Sequence, residues 1–220
     1  MKTPKALLIA STLMLAALPA LLVGCKTAGY DTGNKTAANI QTAADQIGAL
    51  PAQIDKTLAS LNELSEKPQA DLRPQFKAYS ANRSDLESAA KDIGSTHKSM
   101  VENGKAFFAQ WDEQVAKIQS EDIKSRSQSR KDEVMKKLEA LKAKYAEAES
   151  AFKPFMSDLK DIEQALSMDL TASGVKAVSK SAAKANKSAV PLKKSIGELS
   201  DGFKALGLAM SSVTPQQPAK

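Results

Sequence analysis

The sequence predicts an all-α fold, an elongated antiparallel four-helix bundle of the coiled-coil type with a protruding central hairpin. Three observations carry this. Aromatic residues make up only 5% of the chain, and Ala, Lys, Ser, Leu, Glu and Asp dominate, which suits long helices and not a sheet with a wide core. Beyond the N-terminal segment, no stretch is apolar enough to cross a membrane, and none alternates with period two for long enough to make a strand. Apolar residues recur instead at spacings of three and four, in four separate blocks.

The first block is Ile40, Ala43, Ile47, Leu50, Ile54, Leu61 and Leu64, with Ala44 and Leu58 alongside. Thr57 interrupts it mildly, since its methyl can pack. The block predicts a helix from about Lys35 to Glu66. The connection Glu66 to Pro74 contains Pro68 and Pro74, and Asp71 is the N-cap candidate for the second helix. The second block runs Phe76, Tyr79, Leu86, Ala90, Ile93, His97, Met100, Gly104, Phe107, Trp111 and Ile118, with Arg83 and Gln114 at its two skipped positions. A seam that repeats every seven residues argues for coiled-coil-like packing.

The third block, Val134 to Leu166, alternates four and three without a miss but in a different phase. Ser120 followed by Glu121 and Asp122 reads as an N-cap with acids in the first turn, where the helix dipole favours them. This places a tight turn at Gln119-Ser120. No Gly or Pro marks it, and one bent continuous helix is the alternative. The fourth block runs from Val175 to Met210 after the break Met168 to Gly174, with Thr171 as cap. Pro51, Pro154 and Pro191 fall inside three of the helices, and each is expected to kink its helix by removing a backbone hydrogen bond. The seam resumes in phase after each. The second and third helices should be the longest, roughly 45 residues and ~70 Å. Their hairpin should therefore protrude at the end that holds both termini.

The N-terminus carries the clearest functional signal. Lys2 and Lys5 precede an apolar run, Ala6 to Val23, and a small residue, Gly24, precedes the only cysteine, Cys25. That is the layout of a secretory signal peptide over residues 1–24. A retained signal anchor is the alternative, and Pro19 with Gly24-Cys25 argues against it. With one cysteine, an intramolecular disulfide is excluded. Leu22-Val23-Gly24-Cys25 resembles a bacterial lipobox. The resemblance implies cleavage before Cys25 and acylation of that residue, palmitate among the chains, and several chains on one residue give lasting attachment. Lys26 rather than Asp after the cysteine resembles the sorting pattern for the outer membrane, facing the periplasm. The expected organisation is residues 1–24 as signal, 25–34 as lipidated N-terminus and linker, 35–210 as bundle and 211–220 as a disordered tail.

Phe152 to Val178, "FKPFMSDLKDIEQALSMDLTASGVKAV", resembles the bacterial family grouped as domain of unknown function 2959. Pro154, Asp158, Leu159, Asp161 and Leu166 precede the break, and Asp169-Leu170-Thr171 fall in it. The resemblance implies an all-helical envelope lipoprotein and no particular activity.

The remaining residues argue against an enzyme. His97, the only histidine, lies on the second seam without a neighbouring cysteine or second histidine, so a packing role is expected and no metal or cofactor. Phe107 and Trp111 share that seam and read as packing residues. Carboxylates lie beside lysines on helix faces, as in Asp132-Glu133 with Lys136-Lys137, and a narrow bundle seldom offers the pocket that paired catalytic acids need. Nothing resembles a phosphate loop or a nucleophile elbow. The net charge of +6 includes Lys2 and Lys5, so the chain from Cys25 onward carries +4. That is mild, and nucleic acid is a poor partner for an exported protein.

Two charge features stand out. Lys176, Lys180, Lys184, Lys187, Lys193 and Lys194 occur with no acid between Leu170 and Gly197. The plain reading is a solvated face; the sharper one is contact with an anionic envelope polymer or acidic protein. Around the hairpin tip, Lys117, Lys124, Arg126, Arg130 and Lys131 outnumber Glu121 and Asp122, and are expected to face anionic headgroups. The class expected overall is a membrane-anchored structural or interaction module. A membrane-active protein of the pore-forming or lipid-remodelling kind is the alternative.

Overall fold

A computed structural model describes residues 29–211. The expected signal segment, Cys25, the start of the linker and the tail beyond Ser211 lie outside the described residues. The rest forms four helices: α1 Gly29–Glu66, α2 Arg73–Val115, α3 Glu121–Met168 and α4 Ala172–Met210. Each packs on its two neighbours in chain order, with α4 closing back on α1. The arrangement is the antiparallel four-helix bundle that the four apolar stripes require.

The tight turn expected at Gln119-Ser120 is present. Ser120 is extended, and its hydroxyl accepts from the Ile123 N–H. Thr171 caps α4 by accepting from the Gly174 N–H at 3.2 Å. Asp71 works one position earlier than expected. Leu72 holds the cap position of α2 without a side-chain bond, and Asp71 accepts from the Arg73 N–H at 3.1 Å and from its guanidinium. Gln75 turns back to donate to the carbonyls of Glu63 and Lys67, which the end of α1 leaves without helical partners.

α1 begins at Gly29, so residues 29–34 are helix and not the linker expected there. The apolar pattern does not mark Gly33, which is the buried residue of 31–34. Gly33 packs where the Met210 carbonyl and the Phe107 ring approach. α1, α3 and α4 continue through Pro51, Pro154 and Pro191 as single helices.

The core divides unequally. Every stripe residue of α1 is buried, and so is the α4 stripe from Val175 to Leu206. Thr57 is fully buried as well, its hydroxyl donating to the carbonyls of Gln53 and Asn82. On α2 and α3, Phe76, Ala90, His97, Phe107, Trp111, Leu138, Tyr145 and Phe152 remain half-buried, as does Ile118 in the turn between them. The reason is that α1 and α4 pack most extensively, while α2 and α3 pack least.

The hairpin protrudes as expected. Gly33, Phe107 and Met210 lie at one level, and Arg130 donates to the Ala209 carbonyl at 2.7 Å. From that level α2 and α3 run on for on the order of 12 Å to their turn. At the opposite end the α1–α2 connection meets the α3–α4 break.

Candidate binding cleft between the second and third helices

The loose pairing of α2 and α3 comes from what their facing residues lack. Along the middle of the pair stand Ala90, Gly94 and Ala148, too small to fill the space between two helix axes. The result is an open cleft of about 700 Å³, within the roughly 300–1,000 Å³ range of small-molecule sites. Its floor is Ile47 and Leu50 of α1 with Ile196 and Leu199 of α4, and Ile93, Tyr145, Phe152 and Met156 complete the apolar surface. Its rim carries Lys91, Lys98, Lys153 and Lys160 with Glu87 and Glu149.

Polar clamps close the pair at both ends. Toward the α2 N-terminus, the Tyr79 hydroxyl donates to the Leu159 carbonyl at 2.6 Å, and burial pushes its phenol pKa up. Beside it, Arg83 ion-pairs with Glu163 and, at 2.8 Å, with Glu87; Ser80 donates to Glu163, and Lys160 pairs with Glu87. Burial opposes the Arg83 charge, but the Glu87 hydrogen bond and the fields of Glu163 and Glu87 outweigh it and raise its pKa. The hydrogen bonds from Lys160 and Arg83 hold Glu87 below the usual carboxylate range. Toward the tip, Trp111 Nε1 donates to Ser127 Oγ at 3.0 Å, and Lys131 pairs with Asp112.

His97 lies at the edge of the cleft. Its ring stacks on Tyr145 with centroids 3.7 Å apart, and its Nε2 has no hydrogen-bond partner. Burial lowers its pKa against the pull of Glu149, with Lys142 adding to the lowering. Burial raises that of Tyr145. Among the described residues, no group of three or more His, Cys, Asp or Glu is placed to hold a metal ion.

The sequence-derived contact residues distribute differently. Lys176, Lys180, Lys184, Lys187 and Lys194 are all exposed on α4. Lys184 pairs with Asp158 at 2.9 Å, Lys194 with Glu198 at 3.8 Å, and Lys193 with Asp55. The run that looks purely basic along α4 is thus partly neutralised from α1, α3 and the next turn of α4 itself. Four of the five tip cations are paired too: Lys124 with Glu121, Arg126 with Asp122, Arg130 with Glu133, and Lys131, buried, with Asp112; Lys117 is exposed and forms no ion pair among the described residues. Beside its exposed charges, Glu121, Asp122 and Arg126 among them, this end of the bundle also carries apolar surface. Ile123 and Leu208 are exposed, and a second pocket of about 360 Å³ is lined by Phe107, Trp111, Ile118 and Met210 beside Gly33. No described helix is long and apolar enough to cross a membrane.

Sequence reasoning did not find the cleft. The signal was available: a heptad seam whose middle layers carry Ala90, Gly94 and Ala148 cannot close at the spacing that its Tyr, Phe and Leu layers set.

The fold and cleft define an all-helical bundle module with a lateral apolar groove. Residues 24–200 match the family described as a protein of unknown function (DUF2959), and the chain belongs to that family. No curated protein and no solved structure matches it.

Proposed function

We propose that this chain is a lipid-anchored protein of the bacterial envelope, tethered through Cys25 to the outer membrane, whose bundle acts as a binding module and does no chemistry. The observation that carries the tether is the apolar run ending in Leu22-Val23-Gly24-Cys25. In support, the family match begins at Gly24, next to the proposed cut, and α1 begins at Gly29. An anchor that close to a helix start would set the hairpin turn at 118–123 beside the membrane. Apolar tip residues, more than the paired cations, would then meet the lipid interface. The exposed α4 lysines near Ala172 would lie at the far end, turned to an anionic envelope polymer or an acidic protein.

The test is Cys25→Ser. Metabolic labelling with palmitate and fractionation should show an acylated, membrane-bound, shortened wild type. The variant should be unlabelled and either unprocessed or soluble. A Cys25→Ser chain of mature length that still partitions with membranes refutes the anchor.

The membrane-active alternative has one observation in its favour. The α2–α3 pair is the weakest seam, and opening it would expose the apolar floor. Leakage of dye from vesicles on addition of the protein would favour that reading, and its absence the binding module.

A further inference from the structure

We propose that the α2–α3 cleft binds a single-chain anionic amphiphile, a free long-chain carboxylate, with its chain on the Ile47–Leu50–Ile196–Leu199 floor and its head at Lys91 and Lys98. The shape of the cleft argues for the chain. Its walls and floor are supplied by aliphatic and aromatic side chains of all four helices, with α2 and α3 on its two flanks. An apolar surface held open in this way is hydrated at a cost that an aliphatic chain removes, and the gain grows with each methylene buried. The Arg83–Glu163 pair at one end and the His97–Tyr145 stack at the other bound the cleft lengthwise, which suits one chain of limited length.

The charges argue for the head. Of the rim carboxylates, Glu87 is taken by Arg83 and Lys160, and Glu149 by Lys153 at 3.1 Å. Lys91 and Lys98 are exposed, and neither forms an ion pair or side-chain hydrogen bond among the described residues. Seven residues apart, they stand on the same side of α2, about 10 Å from each other along the axis. Both flexible ammonium groups can reach one carboxylate placed between them. The rim therefore offers an excess of positive charge beside an apolar trough, which is the complement of an anionic amphiphile. A neutral chain would leave those two ammonium groups without a counter-charge.

The experiment uses the full-length chain with phosphatidylcholine vesicles and a diazirine-bearing palmitate. After irradiation, adducts are mapped by mass spectrometry and challenged with excess palmitate or excess hexadecanol. Adducts are expected on Tyr145, Phe152 or Met156. Palmitate should displace the probe, and hexadecanol should do so about tenfold less well, the value of two exposed charge contacts. Lys91→Gln with Lys98→Gln should weaken palmitate by a similar factor and leave hexadecanol unchanged.

Gly94→Leu is the blocking variant. A Cβ at Gly94 meets only the Tyr145 hydroxyl at 3.8 Å, so the leucine projects into open cleft. Replacing a helical glycine also favours the helix, so melting should hold while labelling is lost. Adducts confined to the tip, equal competition by the alcohol, or undiminished labelling of Gly94→Leu would each overturn the proposal.

Discussion

Removing Arg83 tests whether the clamp beside the cleft holds α2 to α3. Arg83 occupies a seam position where an apolar residue would be expected, and its side chain is 13% exposed against 20% for Glu163. That environment lies between two measured regimes. Exposed ion pairs contribute about 0.2–1 kcal/mol, and breaking a fully buried pair costs roughly 3–5 kcal/mol. Arg83→Met keeps the length of the aliphatic stem and removes the charge. Glu163 then retains only the Ser80 hydroxyl, and Glu87 retains Lys160. A loss of about 2 kcal/mol lies between these two limits. For a chain of this size that lowers the melting temperature by roughly 4–8 °C.

Far-UV circular dichroism melting of wild type, Arg83→Met, Glu163→Gln and the double variant gives the cycle. The double variant should recover part of the loss, with a coupling of about 1 kcal/mol or more. High salt should change the wild-type value little, because the Arg83–Glu163 pair is largely shielded. An Arg83→Met protein that melts within about 2 °C of wild type, or a cycle with no coupling, refutes the clamp.

His97 has a folded-state pKa below its unfolded value, so the unfolded chain binds the proton first as pH falls. Stability should be fully present above the ordinary histidine range and decline as pH drops through it toward the folded pKa; chemical denaturation at a series of pH values should show this slope flattened in His97→Leu, whose melting at neutral pH should equal or exceed wild type. Gly207 sits where α4 approaches α1, and an added Cβ would come within 3.2 Å of the Ala37 carbonyl; Gly207→Val should cost about 1–3 kcal/mol in urea unfolding. Spin labels at Ser120 and Ser181, both exposed and at opposite ends of the bundle, should show membrane-proximal relaxation at Ser120 and solvent-like relaxation at Ser181 in proteoliposomes; the reverse pattern would refute the orientation.

The four helices, their order and the tight turn at Ser120 were legible in the sequence, because each rests on local chemistry. A stripe such as Val134 to Leu166 specifies a helix with one buried face whatever it packs against. Ser120 and Thr171 announce helix starts with their own hydroxyls. The six residues at the start of α1 were not legible, because burial of a glycine leaves no apolar mark and depends on the α4 backbone coming close.

Charge was read least well, for the same physical reason. The tip cations and the α4 lysines form sets along the chain, yet Lys131 finds Asp112, Lys184 finds Asp158 and Lys193 finds Asp55 on other helices. The partners of a charge are set by which faces meet, and a stripe does not encode that. The cleft is the clearest case. Ala90, Gly94 and Ala148 are each unremarkable helix residues, and only their alignment across α2 and α3 leaves a gap where larger layers on either side hold the helices apart. One-dimensional pattern determined the helices, whose energetics are local and periodic. The bundle decided where space and unpaired charge remained, because both are properties of surfaces brought together from distant parts of the chain.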